Sequence, residues 1–178
     1  MYARSKSIDE IKSREAPFDF ETTFHFHCAR VARIIARVVG DPARAEELAV
    51  EVFWKLWRNP GAHGDEVGGW LYRTAVRIGI YELRRRRRRD RLLPFLRFAR
   101  EPLNPEQIRA SNEEQENVRR VLARMNARQA ELLILRGNGM SYDEVAKTLQ
   151  MNPASVGTLI SRAQGVFRKE YVKRYGRP

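Results

Sequence analysis

The chain has 178 residues, 43% of them hydrophobic, which is enough for one domain or two small domains with packed cores. Lysine and arginine number 34 against 22 acidic residues, and this formal charge of +12 favours polyanionic partners, nucleic acid first and an anionic membrane surface second. A single cysteine excludes an intramolecular disulfide, and the lack of an apolar leader or of an apolar run of about 18 residues predicts a cytoplasmic protein without membrane insertion.

Helical periodicity begins after a polar N-terminal tail, residues 1–17, that we expect to be flexible. Gly40 stops the first helix, and Asp41 and Pro42 then supply an N-cap and a proline at the first position of the second. Six consecutive arginines close the last helix of this half. The predicted helices span residues 20–39, 42–58 and 67–89.

Prolines break the pattern around residues 91–104, which are therefore predicted to form an apolar, basic linker. The helices predicted beyond it are a long one from Pro105, a shorter one over 127–136 and a pair within 140–169. No segment shows the alternation of apolar and polar residues that is typical of a strand. The sequence thus predicts an all-α fold of two small helical domains, 18–90 and 105–178, joined by the linker.

The helix pair within 140–169 has the pattern of a DNA-binding helix-turn-helix. Ser141 precedes Glu144 by three residues, so hydroxyl and carboxylate can each accept a backbone N–H of the other in a capping box. Asn152 and Pro153 restart the chain as the N-cap and first residue of the second helix. Its outward residues are Ser155, Thr158, Ser161, Arg162 and Arg168. A polar, basic helix of this kind fits the major groove, although an αα-hairpin inside a bundle would carry the same caps.

The second predicted helix carries two different apolar faces. The stripe from Ala45 to Trp57 is expected to face the core. The opposite face combines two apolar residues with two carboxylates: Glu47, Val50, Glu51 and Trp54. An aromatic residue ringed by charges is typical of a protein-docking surface, and a neighbouring helix that covers this face is the alternative.

The third predicted helix carries a basic stripe that runs into the arginine repeat. The stripe and the start of the repeat comprise Arg73, Arg77, Ile80, Arg84, Arg85 and Arg86. Contact with phosphates is favoured over a merely solvated face, because the whole chain is basic. Another sector of this helix, which includes Tyr81, is predicted to be core. Trp70 and Tyr72 offer aromatic surfaces for unstacked bases, with burial of Trp70 as the alternative.

The residue patterns of metal and enzyme chemistry are missing from the sequence. His25, His27 and Cys28 cluster, but residues two apart point to different sides of a helix, whereas zinc requires a tetrahedral ligand set. The glycine-rich residues 61–64 lack the Lys-Ser/Thr that a phosphate-binding loop needs. We therefore expect no metal, no cofactor and no catalytic residue.

Taken in order, these motifs resemble those of the extracytoplasmic-function group of bacterial sigma factors. Residues 45–57 resemble the family's helix that docks on the clamp of RNA polymerase. Residues 69–75, followed by 83–86, resemble its helix for melting and reading the minus-ten promoter element. Residues 140–146 and 161–163 resemble its reader of the minus-thirty-five element.

The resemblance implies a protein that binds core RNA polymerase, at clamp and flap, and directs it to promoter DNA, both duplex and melted strand. An anti-sigma factor is a further candidate partner. Residues 18–90 would be sigma region 2, and residues 105–178 sigma region 4. The implied contacts are Glu47, Val50, Glu51 and Trp54 to polymerase; Trp70, Tyr72, Arg73, Arg77, Arg84, Arg85 and Arg86 to the minus-ten strand; and Ser155, Thr158, Ser161, Arg162 and Arg168 to minus-thirty-five DNA.

Several positions depart from the family pattern and indicate a divergent member. Glu47 and Val50 occupy positions where the family has Asp and Gln, and Arg77 and Tyr81 occupy positions of Asn and Asp. Gly157 opens a Gly-Thr-Leu segment where the family has Lys-Ser-Arg, which removes two cations from the reading helix. Two alternatives therefore stay open: a helix-turn-helix regulator that does not recruit polymerase, and a polymerase-binding adaptor or antagonist whose DNA readers have decayed.

Overall fold

The computed structural model describes residues 18–92 and 106–176, without the side chains of 90–92 and 106–112. The described residues contain seven α-helices, a 3-10 helix at Pro60–Ala62 and no strand, which confirms the all-α prediction. The α-helices are α1 Phe20–Val39, α2 Pro42–Trp57, α3 Val67–Leu92, α4 Glu106–Leu122, α5 Ala127–Gly137, α6 Tyr142–Leu149 and α7 Pro153–Tyr175. The predicted N-terminal tail and nearly all of the predicted linker lie outside the described residues.

The N-terminal domain is a bundle of α1, α2 and α3. The carboxylates of Asp19 and Asp41 cap α1 and α2 by accepting backbone N–H groups three residues further on. Gly40 ends α1 with a φ of 70°, a conformation that glycine adopts without strain. Burial of apolar surface then holds the three helices together. The fully buried side chains of this core include Val31, Ile34, Ile35, Val52, Leu56, Leu71 and Val76.

The C-terminal domain comprises α4 to α7, and α6 and α7 form the predicted helix-turn-helix. Both hydrogen bonds of the capping box are present: the Ser141 N–H donates to the Glu144 carboxylate over 2.7 Å, and the Glu144 N–H to the Ser141 hydroxyl over 3.1 Å. Gln150, with a φ of 52°, makes the turn after α6. Asn152 caps α7 through the backbone N–H of Ala154, as predicted.

For three side chains the burial differs from the one that the sequence pattern predicts. Tyr81, predicted to be core, is exposed, and Ile80, assigned to the basic stripe, is buried. The buried sector of α3 is centred near Ala75 and therefore takes in Ile80 and leaves Tyr81 out. Trp57, assigned to the core stripe of α2, is 58% exposed, with the Phe20 ring in an edge-to-face arrangement at a centroid distance of 5.2 Å.

The two domains are packed against each other. Helix α3 lies against α5 and α6, and α1 touches α5, so the buried apolar side chains of both domains form one continuous cluster. At Gly69 the two backbones come close, because a Cβ added there would lie 3.4 Å from the Thr148 Cα atom. The face of α3 that meets the C-terminal domain is therefore partly covered in this arrangement, although the Arg77 side chain is still 59% exposed.

Candidate protein and nucleic-acid interfaces

The outward face of α2 is uncovered. Val50 is 65% exposed and Trp54 is 58% exposed, so no other described helix packs over them. Glu47 and Glu51 flank them and pair along the same helix, Glu51 with Lys55 at 3.5 Å. The alternative in which a neighbouring helix buries this face is thereby excluded for the part of the chain that the structure describes.

Trp57 extends this apolar surface. Residues at i, i+4 and i+7 share one side of a helix, so Val50, Trp54 and Trp57 lie in one row. We call these three residues, with Glu47 and Glu51, the α2 outer face. The spacing that reveals Trp57 was present in the sequence, but the residue also continues the core stripe, and only the packing decides between the two. Exposed apolar rows of this size mark interaction surfaces.

Three basic residues of α3, Arg73, Arg77 and Arg84, lie on the side of the helix that faces the C-terminal domain. The Arg77 Nε–H donates to the Glu131 carboxylate of α5 over 2.8 Å. Arg84 donates to two carbonyl oxygens, of Ala123 at 3.3 Å and of Met125 at 3.0 Å. Burial, followed by the charge of Arg77, lowers the pKa of Arg73. In this arrangement the stripe is an interdomain contact.

The first arginines of the repeat make different contacts. Arg86 donates to the Val39 carbonyl oxygen at 3.3 Å and to the Asp41 carboxylate at 3.1 Å, and it lies 3.6 Å from the Glu82 carboxylate. Glu82 is buried and also pairs with Arg85 at 3.7 Å. The Arg86 guanidinium, assigned by the resemblance to the minus-ten strand, thus joins α3 to the corner between α1 and α2 in this structure.

Of the two aromatic residues proposed for base stacking, Tyr72 is buried and Trp70 is half-buried. Tyr72 is 7% exposed, with its hydroxyl 2.7 Å from His27 Nδ1 and the Arg30 guanidinium 4.7 Å from its ring centre. Burial raises the pKa of Tyr72 and lowers that of His27. Trp70 packs partly against the core and lines a small interdomain pocket with Arg73. Stacking on Tyr72 would require this arrangement to change.

The outward side of α7 agrees with the sequence pattern. All five predicted contact residues are exposed: Ser155, Thr158, Ser161, Arg162 and Arg168. Val156, Ile160 and Ala163 of the same helix are buried. At Gly157 an added Cβ would lie 3.4 Å from the Tyr142 ring, which is ordinary van der Waals contact. The helix that would enter a major groove is thus presented to solvent along its polar side.

A long groove, with a volume of about 1070 Å³, runs between α1, α4, α5 and α7. Its apolar walls include Val118, Leu122, Leu133, Phe167 and Tyr171, and its polar rim includes Arg37 and Arg168. Sequence reasoning did not find this groove, because it arises only where the four helices meet. Its size and apolar lining are those of a binding groove for a peptide or helix.

The histidine and cysteine cluster of α1 is dispersed by the helix. His27 bonds Tyr72, His25 lies 3.9 Å from Glu21, and Cys28 packs partly against the core. Among the described residues no three His, Cys, Asp or Glu side chains are grouped so that they could hold a metal ion. Nor does any described helix have the length and hydropathy needed to cross a membrane.

Comparison with known proteins identifies relatives of both halves. Sigma-70 region 2 matches residues 24–89, which span α1 to α3, and Sigma-70 region 4 matches residues 115–163. The ECF RNA polymerase sigma factor SigE of Mycolicibacterium smegmatis is 29% identical over 156 residues, a match that covers 83% of this chain and 59% of that protein. The chain thus spans about three fifths of the length of this relative.

Two solved structures share the fold. The sigma factor RpoE in complex with the anti-sigma factor NepR from Bartonella quintana has a TM-score of 0.51 at 20% identity, covering 88% of this chain and 98% of that chain. CnrH in complex with the cytosolic domain of CnrY has a TM-score of 0.54 at 18% identity, covering 87% and 88%. Because the two region matches follow each other in family order and together cover well over half of the sequence, the chain belongs to the sigma-70 family, in its extracytoplasmic-function group.

Proposed function

We propose that this chain is a sigma factor that binds core RNA polymerase in the cytoplasm and directs it to promoters, while the polymerase performs the chemistry. The observation that carries the proposal is the uncovered α2 outer face, present in the same chain as a helix-turn-helix with an exposed polar side. A DNA-binding regulator that does not recruit polymerase would not need the α2 outer face. In this proposal residues 18–90 bind polymerase and the minus-ten element, and residues 105–178 bind minus-thirty-five DNA.

The α2 outer face would dock on the polymerase clamp. Trp54 lies at its centre, between Val50 and Trp57, so a partner that covers this row removes three large apolar side chains from water. Glu47 and Glu51 form an acidic border, which favours a partner surface with basic groups at its rim. Such an arrangement gives an apolar anchor for affinity and a charged border for orientation.

The exposed side of α7 would read duplex DNA in the major groove. Arg162 and Arg168 supply cations for phosphate or guanine contact, and Ser155, Thr158 and Ser161 supply short hydrogen-bonding side chains. In the N-terminal domain, Arg73, Arg77 and Arg84 would contact the melted minus-ten strand once they are released from the C-terminal domain.

An anti-sigma factor is a second partner that we propose for the groove between α1, α4, α5 and α7. Both solved relatives are complexes with a protein partner, which for the sigma factor RpoE is the anti-sigma factor NepR. The groove has apolar walls, and its charged lining residues are Arg37, Arg168 and Glu114, which suits an amphipathic helix whose borders carry more acidic than basic groups.

Replacing Trp54 by alanine tests the docking assignment. The substitution removes an exposed side chain that the fold does not need, so folding is expected to be unaffected while binding to core polymerase weakens by more than about 1 kcal/mol. Phe26→Ala is the matched control, because Phe26 is also exposed but lies on α1. Affinity for purified core enzyme, measured by fluorescence anisotropy, is the readout. Equal affinities of parent and Trp54→Ala would refute the assignment.

A further inference from the structure

A cleft between α1 and α4 is lined by a group of arginine side chains. Its volume is about 720 Å³, and small-molecule sites typically have volumes of about 300 to 1,000 Å³. Its charged lining residues are Arg33, Arg37, Arg119 and Glu114. Three guanidinium groups against one carboxylate leave a formal charge of +2 around the cleft. A cleft of this size and charge can therefore accept a small anion.

The described side chains do not neutralise the arginines of the cleft. Arg33 and Arg119 make no side-chain hydrogen bond or ion pair with any described residue. Arg37 donates only to the Gly137 carbonyl oxygen, at 2.8 Å, and Glu114 pairs with none of the three within the part of the chain that the structure describes. Other arginines between packed helices each bind a carboxylate: Arg30, Arg77 and Arg86.

Arg119 gives the strongest indication of a ligand. Its Nε–H is buried and has no hydrogen-bond partner. A buried donor without an acceptor is unfavourable, and a bound ion or water is a common explanation for one in a native protein. The guanidinium lies against the backbone of Gly40, where an added Cβ would overlap with its Nη2 and Nε atoms. Glycine at this position therefore leaves room for the guanidinium at the end of α1.

The lining of the cleft also indicates what kind of anion it can bind. A guanidinium group binds phosphate oxygens in bidentate pairs, so three of them fit an anion with several phosphate oxygens. Arg33 and Arg37 are four residues apart and lie on the same side of α1, while Arg119 comes from α4. The apolar lining residues are Ala36, Pro42, Val118 and Leu122. They can pack against the uncharged part of a ligand whose phosphates bind the arginines.

We propose that this cleft binds a small anion with two or more linked phosphate groups, either pyrophosphate or a nucleoside polyphosphate, through Arg33, Arg37 and Arg119. No residue assigned to polymerase or to DNA lines the cleft, so the site is independent of those two surfaces. The groove proposed for an anti-sigma factor shares Arg37 with the cleft, whereas Arg33 and Arg119 line the cleft alone. Variants of these two arginines therefore distinguish the cleft from the groove.

Titration of the full chain with inorganic pyrophosphate tests the site, by isothermal titration calorimetry at fixed ionic strength without divalent cations. Arg33→Gln is the main variant, because Arg33 is exposed and unpaired among the described residues, so folding does not depend on it. Arg119→Gln removes the guanidinium that α4 contributes. Arg120→Gln is the matched control, because it removes the same charge from the next position of α4 but does not line the cleft.

We expect the parent chain to bind pyrophosphate at one saturable site. Arg33→Gln and Arg119→Gln should each bind it about tenfold more weakly, because each loses a charge-assisted pair with the anion. Arg120→Gln should stay within about twofold of the parent, since salt screens an exposed charge outside the cleft. Equal weakening by Arg33→Gln and Arg120→Gln would overturn the proposal, because the attraction would then come from the overall charge of the chain. A parent without saturable binding would overturn it as well.

ATP as a second probe distinguishes the two sources of linked phosphates. Tighter binding of ATP than of pyrophosphate, weakened by Arg33→Gln, would support a nucleotide ligand whose nucleoside part lies on the apolar wall. Equal or weaker binding of ATP would support pyrophosphate itself. If Arg119→Gln fails to fold because its packing on Gly40 is lost, the comparison of Arg33→Gln with Arg120→Gln decides.

Discussion

Neighbouring arginines of α3 contact different parts of the molecule because an α-helix turns by about 100° per residue. Arg84 binds carbonyl oxygens of the C-terminal domain, and Arg86 binds the corner between α1 and α2. The Glu82 carboxylate lies between these directions, buried and paired with Arg44 at 3.3 Å. A run of six identical residues therefore contains positions that contact the C-terminal domain and positions that contact the N-terminal domain, which the sequence alone does not separate.

Replacing Arg86 by alanine is expected to destabilise the N-terminal domain. The change leaves Glu82 with fewer partners and the last carbonyl group of α1, that of Val39, without this donor, at a cost of about 2 kcal/mol. Arg89 is exposed, so Arg89→Ala should change the free energy of unfolding by less than about 0.5 kcal/mol. Urea denaturation followed by circular dichroism measures both. Equal stabilities of the two variants would show that the Arg86 contacts contribute nothing.

His27 gives the fold a pH dependence whose direction follows from its surroundings. Burial, and then the charge of Arg30, lowers the pKa of His27 below its value of about 6.5 in an unfolded chain. The unfolded chain therefore takes up a proton more readily, so the contribution of His27 to stability is complete above about pH 6.5 and is lost as the pH falls through the folded pKa.

His27→Gln should flatten this dependence, because glutamine can bond the Tyr72 hydroxyl but does not titrate. The free energy of unfolding, measured in urea from pH 7.5 downwards to about pH 5, is the readout. His25→Gln is the control, since His25 is exposed on the same helix. A parent and a His27→Gln variant with the same slope below about pH 6.5 would contradict the account.

Among the helices, those ends that depend on local chemistry are predictable from sequence. Asp41 with Pro42 starts α2, and Ser141 with Glu144 starts α6, because a cap needs only residues within one turn. Burial cannot be predicted in this way, because it depends on which helix, distant in sequence, packs against the residue. Trp57 fits a core stripe and an exposed row equally well by spacing, and only the packing of α1 leaves it outside.

The candidate sites also differ in whether they depend on one helix or on contacts between distant parts of the chain. The α2 outer face and the polar side of α7 are predictable because each lies on one helix opposite its own buried stripe. The contacts of Arg77 and Arg84 are not, because their acceptors belong to the other domain and lie about 40 or more residues away in sequence. The groove lined by α1, α4, α5 and α7 requires four helices to meet, which no local pattern encodes.

Gly157→Lys tests α7 as a DNA-reading helix. Lysine raises helix propensity by nearly 1 kcal/mol, and its Cβ meets only the ring of Tyr142, so the helix can accept it. A cation near the outward side would add a phosphate contact, and we expect tighter binding to promoter fragments with little change in sequence preference. Gly165→Lys adds the same charge and propensity elsewhere on α7 and should have a smaller effect.

Affinities for Gly157→Lys and Gly165→Lys are compared with the parent at fixed salt, on a panel of duplex probes. Weaker binding of Gly157→Lys to every probe would mean that DNA approaches the α7 backbone too closely at this position for a side chain to fit. In that case the outward side of α7 does not lie in the groove as proposed.

At the scale of the whole molecule, the two domains are proposed to bind separate partners, but they share one apolar cluster. The α2 outer face and the polar side of α7 are exposed in the arrangement described, whereas on the basic side of α3 Arg73 and Arg84 are half-buried and Arg77 is exposed but paired with Glu131. The surfaces proposed for polymerase and duplex DNA are therefore accessible without any movement of the domains.

Run-off transcription with purified core RNA polymerase on genomic promoter fragments tests the central claim most directly. The account predicts discrete transcripts that require the chain and that decrease strongly with Trp54→Ala but not with Phe26→Ala. A chain that binds core polymerase without supporting any transcript, or that represses transcription, would be an adaptor or antagonist. A chain that binds promoter DNA but never core polymerase would be a separate regulator. Either result would contradict the proposal that it directs transcription initiation.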